Sequence, residues 1–318
     1  MKITVCPLCG AQSAKVLRTR LRYDIKCKVF ECRRCHMVYL ERLQATEKFY
    51  GGKTYRATYG PTLGKKSTSK QVFDTYRPFQ KPIIDRLHSI LRKNMSVLDV
   101  GCSTGHFLDA LKGKVGTRVG LELSRDEVAF IRTHLDFPVY NTPIAEAHFT
   151  EGPFDLITCF QVLEHIEDPQ SFLSALRKNL KAGGYLYIEV PNIDDALISL
   201  YDVKEYEDFY FREPHLSYFS RTTLGKMLKK AGFKGRIGTA QGYNLINHLH
   251  WLIAHKPQGD FAHGNGVPAL VRGQKAKTPA GRALNAFIAK ADRDYKKLLE
   301  TQGLGESLTF LGKKTQLL

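Results

Sequence analysis

No stretch of this chain approaches 18 uninterrupted apolar residues, which excludes a helix built to cross a bilayer. The opening Met1-Lys2-Ile3-Thr4-Val5-Cys6 lacks the apolar run of a signal peptide, so the expectation is a cytoplasmic protein with reduced thiols. No internal repeat is present, and 318 residues with 43% hydrophobic content can bury one large core and one small satellite. Acid is in short supply: 31 Asp and Glu stand against 48 Lys and Arg, a formal charge of +17. The shortage is local. Residues 1–95 hold 21 basic and 6 acidic side chains, residues 96–233 hold 14 and 20, and residues 234–318 hold 13 and 5. A nearly balanced, slightly acidic middle between two basic ends points to an anionic partner: a nucleotide-sugar diphosphate, an acidic glycan or lipid headgroup, a carrier protein or RNA.

Cysteine is sparse, and four of the seven fall into two knuckles, Cys6-Pro7-Leu8-Cys9-Gly10 and Cys32-Arg33-Arg34-Cys35. A C-x-x-C turn places two thiolates at adjacent corners of a tetrahedron, and two such turns around a strand-like stretch have the spacing of a four-thiolate zinc ribbon. Residues 1–45 are therefore expected to be a ribbon with structural zinc on Cys6, Cys9, Cys32 and Cys35. A module this small cannot hold a core by burial alone, so metal would supply most of its folding free energy. Cys27, Cys102 and Cys159 remain, and the last two fall where free cysteine serves as a small buried hydrophobe.

The dinucleotide pattern G-x-G-x-x-G is also missing. In its place stands Val97-Leu98-Asp99-Val100-Gly101-Cys102-Ser103-Thr104-Gly105-His106-Phe107-Leu108, an apolar run ending in an acid, a glycine-punctuated turn and a helix start. Asp99 would repel a diphosphate but attracts S-adenosylmethionine, which carries an ammonium and a sulfonium and no phosphate. The next strand-like run, Thr117-Arg118-Val119-Gly120-Leu121-Glu122, ends in a second acid about 20 residues on, where such folds hold ribose hydroxyls.

Phe154-Asp155-Leu156-Ile157-Thr158-Cys159-Phe160-Gln161-Val162-Leu163-Glu164-His165-Ile166-Glu167-Asp168-Pro169 reads as a buried strand running into a helical turn. A helix, the turn Lys181-Ala182-Gly183-Gly184 and a strand over 185–192 follow. With these blocks in order, the chain resembles the class I S-adenosylmethionine-dependent methyltransferases from about residue 97 to 233, and FDLITCFQVLEHIEDP and LKAGGYLYIEVPN are similar to their small-molecule subgroup. The resemblance implies an α/β fold: a doubly wound, seven-stranded, mostly parallel Rossmann-like sheet with the cofactor across the carboxyl ends of the early strands. The candidate cofactor contacts are Asp99, Gly101, Cys102 and Gly105, then Glu122 and Leu123, then Phe160 and Gln161.

Past the fifth strand, residues 193–221 form an insertion ending in Tyr210-Phe211-Arg212-Glu213-Pro214-His215-Leu216-Ser217-Tyr218-Phe219-Ser220, where the acceptor pocket is expected. His215 is its one side chain of near-neutral pKa and the candidate general base. The segment is similar to the HLSYFS region of zinc-ribbon sugar methyltransferases, whose histidine serves as base with a glutamate immediately before it. Here Pro214 holds that place, which disfavours methylation at carbon and leaves oxygen. Tyr218 and His165 are the further catalytic candidates.

The remaining elements are a linker with a leading helix (46–95, the helix over 71–93), and the methyltransferase domain (96–318). Within it a helix over 222–231 and a strand over 233–240 precede a helical insertion at about 241–305, and a last, antiparallel strand follows. Residues 49–70, aromatic at first and Gly/Ser/Lys-rich later, are a lid candidate. The stretch 256–281 is expected to be a surface loop, and the insertion is a candidate homodimer surface. His248, His250 and His255 are read as a packed or exposed helix face rather than a metal site.

Three function classes follow. The leading one is methyl transfer to an anionic small-molecule or glycan-linked acceptor. The second is RNA methylation, with Tyr23, Phe30 and Tyr39 stacking bases among the ribbon arginines. Against it, Cys159-Phe160-Gln161-Val162 is not the Asn/Asp-Pro-Pro-aromatic turn used on base amines, and no cysteine nucleophile follows the fifth strand. The third, a non-catalytic binder, is opposed by the presence of Asp99, Gly101, Gly105 and Glu122.

Overall fold

The computed structural model describes residues 5–41, 62 and 65–315. The lid candidate 49–70 therefore lies outside the described residues except for Thr62 and 65–70.

Two sheets organise the chain. The small one contains β1 (Ala14–Leu21), β2 (Ile25–Cys32) and β3 (Val38–Leu40) of the ribbon, all antiparallel. Its fourth strand, β9 (Ser217–Tyr218), comes from nearly 200 residues downstream and pairs with β3.

The large sheet has β4 (Ser96–Val100), β5 (Thr117–Leu121), β6 (Val139–Tyr140), β7 (Phe154–Phe160), β8 (Leu180–Pro191), β10 (Phe233–Ala240) and β11 (Ser307–Lys314), in the order β10-β11-β8-β7-β4-β5-β6. β11 alone runs against its neighbours β8 and β10, as the sequence predicts for the last strand. Every residue of β4 is buried, the mark of a central parallel strand covered on both faces. The chain leaves β4 through β5 and β6, then crosses back to place β7 on β4's other side, so a crevice opens at the carboxyl end of β4.

Local sequence explains the main elements. Asp168 accepts the N–H groups of Gln170 and Ser171, and Pro169 follows it, so α5 (Pro169–Asn179) starts on both a capping side chain and a preset φ. Ser220 and Thr223 form a capping box on α8 (Arg221–Lys230), which stops before Gly232 at φ +78°.

Two expectations need correction. The leading helix over 71–93 is two short helices, α1 (Ser69–Tyr76) and α2 (Lys81–Leu87), joined by a 3₁₀ turn, Arg77–Gln80. Pro78 and Pro82 lack the N–H groups that a continuous helix would need there. The stretch 256–281 is more than a surface loop: it contains α10 (Phe261–Asn265), and Phe261 packs edge-on against Tyr76 at 4.6 Å and Phe79 at 5.4 Å. The insertion's two principal helices are α9 (Leu245–Ala254) and α11 (Pro279–Gln302). Within the 193–221 insertion lie α6 (Ala196–Ser199) and α7 (Lys204–Tyr210).

The ribbon packs into the large-sheet domain. Cys6, Leu8, Cys32, Cys35, Met37 and Tyr39 share one apolar cluster with Phe219, Leu224 and Met227. Arg18 pairs with Asp208, and the Arg22 N–H donates to the Phe211 carbonyl at 2.6 Å. No described helix is long and apolar enough to cross a membrane.

Candidate functional site

The loop after β4 is shaped by three residues at positive φ: Gly101 at +74°, Ser103 at +50° and Gly105 at +76°. Gly101 is required there: a Cβ would lie 2.4 Å from Val162 Cγ2. Gly105 caps the short helix His106–Ala110, and a Cβ on it would meet Phe137 at 2.7 Å. Cys102 is buried beneath the loop, and burial pushes its thiol well above the ordinary range, so it stays protonated.

Register brings the two acids together around this loop. Asp99 pairs with Gly120 across β4 and β5, and Glu122 lies two residues further on. Asp99 is 2% exposed and accepts the Thr158 hydroxyl at 2.7 Å; burial, with Glu122 nearby, pushes its carboxyl up to about 7. Glu122 accepts the N–H groups of Ser103 and Ser124, each at 2.8 Å, and so ties the loop to the second strand.

Two cavities meet at this loop and share Gly101, Ser103, Phe160 and Gln161 as walls. The smaller, about 360 Å³, is lined by Glu122, Leu123, Ile144, His165 and Phe172 among others. The larger, about 840 Å³, contains Asp99, Cys102 and His215 in its walls. Gly105 lines neither and acts through the helix cap. Gln161 holds φ +54° and donates to Ser307 Oγ at 3.2 Å, a strained corner that its residue type does not announce.

The walls of the larger cavity come from four parts of the chain. Arg22 comes from the ribbon, Tyr76 and Phe79 from the leading helices, Tyr206, Phe209 and Arg212 from the 193–221 insertion, and Tyr243, Trp251 and Phe261 from the second insertion. The cavity is thus aromatic, with Arg293, Lys296 and Lys297 of α11 also on its wall. Arg22 is 7% exposed, lies 3.3 Å over the Phe209 ring and donates from Nε to the Phe209 carbonyl at 2.5 Å. Sequence reasoning missed Arg22, because nothing local marks a ribbon residue as part of a cavity wall in the large-sheet domain.

His215 is 2% exposed. Arg212 donates from Nε to its Nε2 at 2.7 Å, so the neutral ring carries its proton on Nδ1. Burial, the Arg212 charge and His165 hold its pKa well below the usual histidine range. His165 donates from Nδ1 to the Pro214 carbonyl at 2.6 Å, and burial lowers it to about 3. Among the described residues the walls of neither cavity include Tyr218. Its hydroxyl donates to the Arg212 carbonyl at 3.0 Å and accepts the Arg212 N–H at 2.9 Å, which pins the loop that carries His215. His248 is buried against Tyr295 and Gln241, His255 faces Glu205, and among the described residues His248, His250 and His255 form no ligand group.

Outside the walls of both cavities, the sulfurs of Cys6, Cys9, Cys32 and Cys35 lie within 4.8 Å of one another, with Cys6–Cys35 at 3.5 Å and Cys9–Cys32 at 3.6 Å. Bonds of about 2.3 Å to a tetrahedral zinc put sulfurs about 3.8 Å apart, so the set fits that ion, and these four residues would hold it. Gly10 at φ +74° and His36 at φ +65° close the two knuckles in the same left-handed way.

Comparison with known proteins agrees with this fold. A methyltransferase domain family model matches residues 73–236. A ubiquinone biosynthesis O-methyltransferase of Thiobacillus denitrificans is 28% identical over 170 residues, covering 50% of this chain and 72% of the relative. The protein of that name from Hydrogenovibrio crunogenus is 27% identical over 179 residues, 53% of this chain and 73% of the relative. The solved structure of a SAM-dependent methyltransferase from Archaeoglobus fulgidus aligns with a TM-score of 0.48 at 21% identity, over 76% of this chain and 96% of that one. With a family model spanning more than half its length, over the sheet that carries Asp99 and Glu122, the chain belongs to the methyltransferase domain family and is an S-adenosylmethionine-dependent methyltransferase.

Proposed function

We propose that the enzyme methylates an oxygen of a small anionic acceptor, or of a glycan- or lipid-linked one, held in the aromatic cavity beside Asp99. The observation that carries this reading is the 840 Å³ cavity itself: it joins the glycine loop to His215 and is walled by aromatic rings and by Arg22 and Arg212. Aromatic rings beside cationic side chains suit a small ring bearing an anionic end, although Asp260, Glu300 and Glu306 share the same wall. In this reading Asp99 faces the ammonium of the donor, Glu122 the ribose hydroxyls, and Leu123 and Phe172 the adenine. The relatives named as O-methyltransferases support oxygen as the acceptor atom.

The sulfonium already activates its methyl group, so in-line alignment carries most of the acceleration, up to about 7–11 kcal/mol from positioning. Deprotonation of the acceptor hydroxyl adds about 10²–10⁴-fold. His215 supplies it: the acceptor O–H replaces Arg212 at Nε2, and the freed guanidinium turns to the acceptor's negative charge. RNA is the weaker reading, since Tyr39 is fully buried and, of the three ribbon aromatics, Tyr23 is the one counted as exposed, at 57%.

The test is transfer of labelled methyl from S-adenosylmethionine to 3,4-dihydroxybenzoate, to a set of nucleotide-linked sugars and to total RNA. Label on an oxygen of a small acceptor is expected, with His215→Ala lowering turnover much more than donor affinity. Label confined to RNA, or full turnover by the His215→Ala variant, overturns the reading.

A further inference from the structure

Glu164 is fully buried, and among the described residues its carboxyl oxygens have no hydrogen-bond partner beyond its own backbone N–H. An orphaned carboxylate at zero exposure is costly unless it has a task. Its Oε1 lies 4.0 Å from His215 Nε2 and 3.6 Å from His165 Nε2, and the two histidine rings meet edge to face at 4.8 Å. Glu164 lines neither cavity, so it sits behind the histidines rather than against a substrate. His215 Nδ1 is likewise without a partner.

We propose that Glu164 is the positioning carboxyl group of His215, set behind its ring to hold it and, when ionised, to steady the imidazolium formed as His215 takes the acceptor's proton. This rests on His215 being the base. The acceptor O–H gives its proton to His215 Nε2 while its oxygen takes the methyl group from sulfur. The imidazolium so formed keeps its Nε2–H toward the methylated oxygen, with Glu164 Oε1 4.0 Å from Nε2 on the side away from both cavities, and gives the proton up to solvent as the products leave. Nothing else is consumed: the donor's positive charge leaves as the one proton released to solvent. The sequence lacks an acid beside His215, where Pro214 stands, and the turn after β7 brings one in through space.

The surroundings suit the task. Burial lifts Glu164 to about 8, with its own backbone N–H and Arg212 opposing and Glu189 adding to the rise, so it ionises on the alkaline side and steadies the imidazolium there. The titratable groups around it are His165, His215, Arg212, Glu189, Cys159 and Tyr210. A divalent cation on Glu164, His165 and His215 would meet the Arg212 guanidinium already bonded to His215 Nε2 at 2.7 Å.

The experiment uses the full chain with ¹³C-labelled histidine, loaded with S-adenosylhomocysteine and titrated from pH 5 to 9.5 in buffer without added divalent cations; His215 is assigned by loss of its signal in His215→Gln. The expected result is an alkaline step in the His215 resonance that disappears in Glu164→Gln and returns, displaced, in Glu164→Asp. On an acceptor found active, Glu164→Gln should lose at least tenfold in kcat and the matching limb of the pH profile, with KM for the donor unchanged. A step that persists in Glu164→Gln, or that is absent from the wild type, overturns the proposal. If His215→Ala keeps full turnover while the step still depends on Glu164, the base assignment falls and the pairing stands.

Discussion

Tyr39 of the ribbon pairs with Ser217, two residues past His215, across an antiparallel ladder. The strand that leads the acceptor segment back into the core is therefore held by the module that carries the four cysteines. Metal loss should act on the acceptor wall before it acts on the cofactor loop. The expected outcome is one zinc per chain by elemental analysis, and, after chelation, faster amide exchange at Val38, Ser217 and Tyr218 with Val97–Gly101 still protected. A zinc-free protein with unchanged exchange at Ser217 would remove the ribbon from the acceptor site.

Asp99 must be ionised to hold an ammonium, yet burial has raised it to about 7. Affinity for S-adenosylmethionine should rise between pH 5.5 and 7.5, approaching tenfold per pH unit well below that midpoint. Calorimetry on the wild type and on Asp99→Asn decides this. The variant should bind about 10–100-fold more weakly, the worth of a charge-assisted hydrogen bond, and show no such limb.

Stability of the ligand-free protein should fall as pH rises from about 6.5 to 8.5. Burial raises Asp99 to about 7 and Glu164 and Glu306 to about 8, so the folded state holds protons that the unfolded chain releases near pH 4. What those neutral carboxyls contribute is complete below pH 4 and lost as pH passes their folded values. The buried histidines work in the opposite sense: His165, lowered to about 3, and His248, lowered to about 4, contribute above pH 6.5 and lose it as pH falls toward 3. Thermal melts from pH 3 to 9 should therefore peak between these windows, and a melting temperature still climbing from pH 7 to 8.5 would contradict the assignment.

Gly101→Ala should cost both folding and cofactor. The substitution strains a backbone at φ +74° and drives a methyl into Val162 at 2.4 Å, so a loss of about 1–3 kcal/mol and at least tenfold in donor affinity are expected. Gly183→Ala is the control, with the same strain at φ +73° and open space around it. It should cost about 1 kcal/mol in urea unfolding and leave donor affinity unchanged.

Arg22→Gln should raise KM for an anionic acceptor about 10–100-fold with donor affinity intact, because it removes a buried charge from the acceptor wall. Arg22→Lys should recover part of the loss. The same KM in all three proteins would make Arg22 a purely structural link to Phe209.

Much of this was legible one segment at a time. The β4 loop, the second acid and both cysteine knuckles are signals spaced within a few residues, set by φ, by strand periodicity and by the reach of a thiolate. The helix over 71–93 failed because its apolar periodicity was read through two prolines. Phe261 was missed because it stands in a Gly- and Lys-rich stretch with no period of its own. Tyr218 was singled out by its neighbours in sequence, whereas its hydroxyl is spent on the Arg212 backbone.

The sequence by itself determined a nucleotide-type α/β sheet, a donor without phosphate and a four-sulfur ribbon, because each depends on contacts between residues close in the chain. Only the tertiary structure decided that ribbon strand β3 and strand β9 share one ladder, that Arg22 and Trp251 wall the same cavity, and that Glu164 stands behind His215. Those relationships join residues 50 to almost 230 positions apart. Sequence spacing carries no information about them until packing and register bring them together.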